Sequence, residues 1–250
     1  MPSRYRAIFF DLDGTLIEER AGIVEARAAV VAALRERGHA VSLTAYADAA
    51  EAVIQEVLVA NGGSWPPAFS RLHAITNTLA RLALPTTDAA ALADVHLRAR
   101  LDHLTLLDGA QTAVDWAHED HPLGMITNGP GPEQREKLHR SGLAHRFETV
   151  TVSGEVGFGK PDAAIFEQAL SSLEVAASDS VYVGNNFHGD ILGALGAGMD
   201  AVWLRDGNRP PPAEASDCGC ATITSMRELP TSVAARSAES EPRESTGEVT

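Results

Sequence analysis

Two carboxylates one residue apart, Asp11 and Asp13, follow the apolar run Ala7-Ile8-Phe9-Phe10 and precede Gly14-Thr15. Like charges that close repel unless a cation or a shared proton relieves them. Three further segments carry polar groups of matching chemistry: Thr127-Asn128-Gly129, Lys160-Pro161-Asp162, and Asn185, Asn186 and Asp190. Brought together, a hydroxyl and the Gly129 amide would meet an anionic ligand on one side and the Lys160 ammonium on the other. The carboxylates opposite could hold a hard cation such as Mg2+, which takes oxygen ligands and keeps several waters. That set describes a phosphoryl-transfer site, where positioning and charge neutralisation supply most of the catalysis. Lys160 carries extra weight because only one other lysine, Lys137, occurs among eighteen arginines. A lysine in such a chain points to a need for a compact point charge.

The elements that must position these groups follow from hydrophobic periodicity. The continuous apolar run at 7–10 predicts a strand buried on both faces, and 123–127, 148–152, 180–184 and 201–204 read as further strands. Helical patterns separate them at 109–118, 133–140, 161–173 and 191–197. Alternating strands and helices imply an α/β fold with a doubly wound parallel sheet, in which ligands sit at the carboxyl ends of the strands. All four polar segments fall at such ends. Residues 17–105 read instead as four successive helices with no strand run, inserted between the first strand and the rest. The expected organisation is a core of 1–16 and 106–231, a helical cap of 17–105, and a disordered tail of 232–250. Residues 221–224 would add an edge strand, and 226–229 a short helix.

Phe10-Asp11-Leu12-Asp13-Gly14-Thr15-Leu16 resembles the first motif of the haloacid dehalogenase-like (HAD) hydrolases, whose members are mostly phosphatases. Thr127-Asn128-Gly129, Lys160-Pro161-Asp162 and the segment from Val183 to Ile191 resemble the second, third and fourth. The resemblance spans residues 7 to about 230, and the insertion looks like the family's C1-type cap. It implies a HAD-like Rossmannoid core and Mg2+-dependent hydrolysis of a small phosphorylated metabolite, a nucleoside monophosphate or a sugar phosphate. Asp11 would be the nucleophile, giving an aspartyl-phosphate. Asp13 would be the general acid and then the base, with its main-chain carbonyl on the metal. Thr127 and Lys160 would hold the phosphoryl oxygens, with Asn128 and Gly129 beside them. Asp11, Asp13, Asn185 and Asp190 would form the metal set. Asn185 stands where phosphatases of the family usually carry Asp, so weaker Mg2+ binding is expected. The alternatives are a metal-free dehalogenase, which lacks the acid two residues after the nucleophile, and a non-catalytic phosphate-sensing or protein-binding module. A phosphonate hydrolase would need a cap lysine, and residues 17–105 contain none.

A formal charge of -14 excludes nucleic acid and anionic membrane as partners, since both need a basic face. The start reads directly into the first strand with no apolar run of membrane length, which predicts a cytoplasmic protein. Cys218 and Cys220, one residue apart, read as poorly placed for a disulfide and too few for a zinc site. Ile17, Glu18 and Arg20, with Trp65, Arg71 and His73, are the insertion residues nearest the expected pocket, though each of the last three fits a helix surface or core better than a substrate contact. The sequence does not speak to oligomeric state.

Overall fold

The computed structural model describes residues 4–18, 20–60, 66, 70–207 and 210–239. β1 (Ala7–Phe10) lies at the centre of a six-stranded sheet. It is followed by the insertion: β2 (Ile17–Glu18), α1 (Arg20–Glu36), α2 (Leu43–Ala60), α3 (Arg71–Arg81), α4 (Ala89–Asp102) and β3 (Thr105–Leu106). The chain then runs through α5 (Ala110–Asp120), β4 (Leu123–Thr127), α6 (Gly131–Arg140), β5 (Thr149–Val152), α7 (Ser153–Val156) and α8 (Ala163–Ser172). β6 (Ser180–Gly184), a π-helical turn over Phe187–Leu192, α9 (Gly193–Gly196), β7 (Asp200–Leu204), β8 (Ala221–Ile223) and α10 (Leu229–Glu239) complete it. The strand order is β5-β4-β1-β6-β7-β8, parallel throughout, so the doubly wound α/β expectation holds.

Alternation along β1 shows why its sequence is uniformly apolar. Ile8 and Phe10 join one core with Val114, Leu138 and Val181. Ala7 and Phe9 join the other, with Phe166, Tyr182 and Ile191. Successive side chains point to opposite faces, and both faces are covered by helices. Each fully buried Phe contributes roughly 1.5–3 kcal/mol. Register then places the chemistry. Phe10 pairs with Met125 and with Val183, so Asp11, Thr127 and Gly184 end neighbouring strands on one edge of the sheet.

The insertion has its own apolar cluster, in which Val30, Leu34, Tyr46, Leu79 and Leu92 pack together. Ser70 caps α3, its side chain accepting from the His73 amide at 3.2 Å. The sequence predicts no strand there, yet the two roots of the insertion pair: β2 lies antiparallel to β3, Ile17 opposite Leu106 and Glu18 opposite Thr105. The apolar pattern places a helix stop at Asn61-Gly62-Gly63 and a helix start at Pro66-Pro67; 61–65 and 67–69 lie outside the described residues, and α3 is seen from Arg71.

Two expectations are corrected. Residues 232–239 are helical, not a disordered tail: Val233 is buried in the core cluster, and Arg236 donates to Asp200 at 3.0 Å. Residues 240–250 lie outside the described part. Cys218 and Cys220 form a disulfide. Gly219, with φ of 70°, turns the chain so that their Cα atoms stand 5.4 Å apart, within bridging range.

Candidate active site

Asp11 is buried at the mouth of β1. One carboxylate oxygen accepts from Lys160 Nζ at 2.6 Å and the other from the Thr15 hydroxyl at 3.1 Å. Lys160 Nζ also meets Asp190 Oδ1 at 2.6 Å and donates to the Tyr182 hydroxyl at 2.8 Å, which in turn donates to the Ile126 carbonyl. One ammonium thus serves two carboxylates. Burial raises the Asp11 pKa to about 7, Lys160 opposing the rise and Asp190 adding to it. For Lys160, burial acts to lower the pKa, but Asp11 and Asp190 outweigh it and hold the group above its ordinary value.

Local structure fixes these partners. Asn128 takes the Lys160 amide on its side-chain oxygen at 2.9 Å and donates back to the Lys160 carbonyl at 3.0 Å. The π-turn is tied at its start by two reciprocal bonds: Asn186 Oδ1 accepts from the Gly189 amide, and Asp190 Oδ2 accepts from the Asn186 amide at 2.8 Å. A side chain at Gly184 would collide with the Asp190 carboxylate, so glycine there is a condition for Asp190 to lie against the sheet. Gly14, with φ of 81°, is likewise overlain by the Asn185 amide.

Asp13 is held by a different set. Lys137 Nζ donates to both its oxygens at 2.9 and 2.7 Å, Gln134 donates to it at 2.8 Å, and Arg100 from α4 reaches it at 3.3 Å. Burial alone would raise this carboxyl. The Lys137 ammonium and the Arg100 guanidinium outweigh it and hold Asp13 well below the usual carboxylate range. Gln134 also donates to Thr127 Oγ1 at 2.6 Å, linking Asp13 to the end of β4. Behind it, Glu133 binds Arg71 of α3 through both oxygens and Arg100 at 3.2 Å. His96 of α4 meets Arg71 Nη1 at 2.9 Å. Burial, with help from Arg71 and Arg100, brings His96 down to about 3 and so keeps it neutral. Burial acts to raise Glu133, but Arg71 and Lys137 bring it to about 2.

These residues line one cleft of about 210 Å3 with four carboxylates and four cations, Asp11, Asp13, Glu133 and Asp190 against Arg71, Arg100, Lys137 and Lys160. The lining is therefore locally neutral in a chain whose formal charge is -14. Asp11, Asp13, Thr127, Lys160, Asn185 and Asp190 converge as the sequence expects. Asn128 and Gly129 also border the cleft but have other partners than the expected ligand: Asn128 clamps the Lys160 backbone, and the Gly129 amide donates to Ser153 Oγ at 2.9 Å. His73 and His188 are exposed. Glu18 and Arg20 border a second hollow beside Trp203 instead. Sequence reasoning missed Arg100, Glu133, Gln134, Lys137 and Tyr182. The rarity of lysine, applied to Lys137 as it was to Lys160, was the available signal.

The family profile of haloacid dehalogenase-like hydrolases matches residues 5–198, and the chain belongs to that family. It is similar to the glyceraldehyde 3-phosphate phosphatase of Methanothermobacter thermautotrophicus, 32% identical over 199 residues and covering 80% of this chain and 85% of that one. It is also similar to human N-acylneuraminate-9-phosphatase, 30% identical over 242 residues, 91% and 93% of the two chains. A phosphoserine phosphatase of Thermus thermophilus is 49% identical over 94 residues, a match spanning 38% of each chain. Among solved structures, YfnB of Bacillus subtilis bound to magnesium superposes with a TM-score of 0.71 at 24% identity, covering 90% of this chain and 97% of that one. A 2-haloacid dehalogenase of Pseudomonas syringae gives 0.67 at 28% identity, with coverage of 93% and 99%. The protein is an enzyme, a phosphoric monoester hydrolase of this family. Among the described residues no helix is long and apolar enough to cross a membrane.

Proposed function

We propose that the enzyme hydrolyses a small phosphorylated metabolite through an aspartyl-phosphate on Asp11, with Mg2+ as its metal, and that it acts in the cytoplasm. The observation that carries this reading is the Asp11 carboxylate on the floor of the cleft, with Lys160 on one oxygen and Thr15 on the other. Thr127, Lys160 and Asp11 surround the space a phosphoryl group would fill. Asp11 attacks phosphorus, and the P–O bond to the leaving alcohol breaks as Asp13 gives that oxygen a proton. Asp13, now ionised, takes a proton from water. The resulting hydroxide attacks phosphorus, frees inorganic phosphate and restores the Asp11 carboxylate. For its first task Asp13 must gain a proton that Lys137 and Arg100 disfavour in the free enzyme.

The donor set suits Mg2+. The Asp11 carboxylate, the Asp13 main-chain carbonyl and the Asn185 side-chain carbonyl are all oxygens. The metal, when bound, offsets phosphoryl charge and favours ionised Asp11. Asp190 already accepts from Lys160 and from the Asn186 amide. It therefore acts through Lys160, and any contact it makes with the metal runs through water. Residues 17–105 serve as the cap over this site, hinged where β2 pairs with β3.

The test is phosphate release from p-nitrophenyl phosphate and a phosphorylated-metabolite panel, with Mg2+ and with EDTA. Mg2+-dependent turnover is expected, together with an acyl phosphate at Asp11 that borohydride reduces to homoserine, read by peptide mass spectrometry. No release from any ester, or chloride release from a 2-haloacid in its place, would overturn the reading.

A further inference from the structure

We infer that Gln134 is a positioning residue for two groups of the reaction at once: its one amide aims the Asp13 carboxylate at the leaving oxygen and the Thr127 hydroxyl at the phosphoryl group. The inference rests on the phosphatase reading above and names the side chain that couples the two ends of that site. Thr127 closes β4 at the phosphoryl end of the cleft, and Asp13 stands at the wall where the leaving group departs.

Helix α6 begins at Gly131, just after β4, so its first turns lie beside the cleft. Gln134 and Lys137, three residues apart, share one face of that helix, and both are buried. The Gln134 amide has three partners. Its Oε1 accepts from Lys137 Nζ at 2.7 Å, while its Nε2 donates to Asp13 Oδ2 at 2.8 Å and to Thr127 Oγ1 at 2.6 Å. Lys137 donates in turn to both oxygens of Asp13, which closes a ring of three side chains.

Chemistry leaves the amide one orientation. An ammonium only donates, so the atom facing Lys137 is the amide oxygen; an ionised carboxylate only accepts, so the atom facing Asp13 is the nitrogen. Both amide N–H groups are then used, one on Asp13 and one on Thr127. A hydroxyl that accepts from Gln134 has its own hydrogen turned away from it, available to a phosphoryl oxygen in the cleft that Thr127 lines with Asp11 and Lys160. On Asp13 the same amide, with Lys137, holds Oδ2 and thereby the plane of the carboxylate. A Cβ at Gly129 would come within 3.0 Å of the Gln134 amide carbon, so glycine at that turn leaves room for the arrangement. Both acceptors of the amide are groups the reaction uses, which a residue that only fills the core would not require.

The experiment compares kcat/KM for p-nitrophenyl phosphate and benzyl phosphate, which are close in size and differ in leaving group. Nitrophenolate departs without a proton, whereas the benzyl alkoxide needs one from Asp13. Gln134→Met keeps the length of the side chain and removes its donors. It is expected to lower kcat/KM about a hundredfold for benzyl phosphate and about tenfold for p-nitrophenyl phosphate, so that their ratio falls about tenfold. The inhibition constant of inorganic phosphate should rise about tenfold, because the Thr127 hydrogen is no longer directed. Gln134→Glu retains the contact with Lys137 and loses the bond to Asp13; it is expected to lower the same ratio, and it decides the matter if the methionine variant fails to fold. Its added charge weighs on both esters alike and cancels in the ratio. An unchanged ratio, whether from equal slowing of the two esters or from full activity, overturns the inference and leaves the phosphatase reading standing. A phosphate inhibition constant in Gln134→Met equal to that of the wild type also overturns it, since the Thr127 hydroxyl would then not depend on Gln134. No phosphate release from either ester by the wild type removes the reading beneath it.

Discussion

The two ends of the cleft solve opposite electrostatic problems with carboxylates two residues apart. At the phosphoryl end, one ammonium is shared by Asp11 and Asp190, with Asp11 and Lys160 on loops and Asp190 in the π-turn after β6. Cations are scarce there, and burial lifts Asp11 to about 7. At the leaving-group end, Asp13 and Glu133 meet Lys137, Arg71 and Arg100, and both arginines belong to the insertion. Two cations, Lys137 and Arg100, reach Asp13 there and hold it well below its usual range. The difference teaches that backbone spacing does not set the ionisation of neighbouring acids. The count of cations within reach of each does, and environments that push two acids apart are those that assign them different tasks.

Removing the nucleophilic carboxylate should have the largest effect. Asp11→Asn is expected to lower kcat by about 10^4-fold or more while leaving the circular dichroism spectrum unchanged; a variant with most of its turnover would remove Asp11 as nucleophile. Next comes the ammonium. Lys160→Met leaves Asp11 and Asp190 facing each other in a buried site, which should cost about 3–5 kcal/mol in chemical denaturation. Turnover should fall about 10^2- to 10^3-fold, and adding Asp190→Asn should restore part of the stability. Loss of activity without loss of stability would mean that the two carboxylates do not depend on Lys160.

A smaller effect is expected at the other end, where it appears as a pH dependence. His96 titrates at about 3 when folded against an ordinary 6.5, so the unfolded chain binds the proton more readily between those values. Its contribution to stability is therefore complete above pH 6.5 and shrinks as pH falls toward 3. Asp11, raised to about 7, works in the opposite sense over much of that window. The difference between wild type and His96→Asn removes this shared term. That difference should change by about 2 kcal/mol between pH 7 and pH 5; a flat difference would show that His96 is not kept neutral by its site. Smallest of all, Asn185→Asp adds a carboxylate to the cation-poor end. It should lower the Mg2+ concentration for half-activation by about tenfold. An unchanged activation curve would place Asn185 away from the metal.

Asp11, Thr127 and Asp190 were legible because each ends or follows an apolar run that reads as a buried parallel strand, and Lys160 because lysine is rare in this chain. The leaving-group wall was not. Glu133, Gln134 and Lys137 lie on one helix face at spacings that ordinarily mark a solvated surface, with Leu138 on the core side. Only the seating of α3 and α4 over that face buries it, and no local pattern in α6 encodes the seating. The end of the chain misled for a related reason. A Ser-, Glu- and Arg-rich stretch promises no order, yet two buried residues, Leu229 and Val233, and an ion pair from Arg236 hold α10 in place. The cysteine pair was misjudged because Gly219 supplies a left-handed turn that sequence separation alone does not reveal.

The two-residue ribbon of β2 and β3 brings the departure and return of the insertion side by side, about one interstrand spacing of ~4.8 Å apart. Everything between those points can be exchanged as a cassette, because a replacement block has only to begin and end at that narrow gap. The sheet would keep its connectivity, and Asp11, Thr127 and Lys160 would stay where they are. Swapping the segment between Glu18 and Thr105 is thus a route to new substrate preferences on an unaltered hydrolytic base.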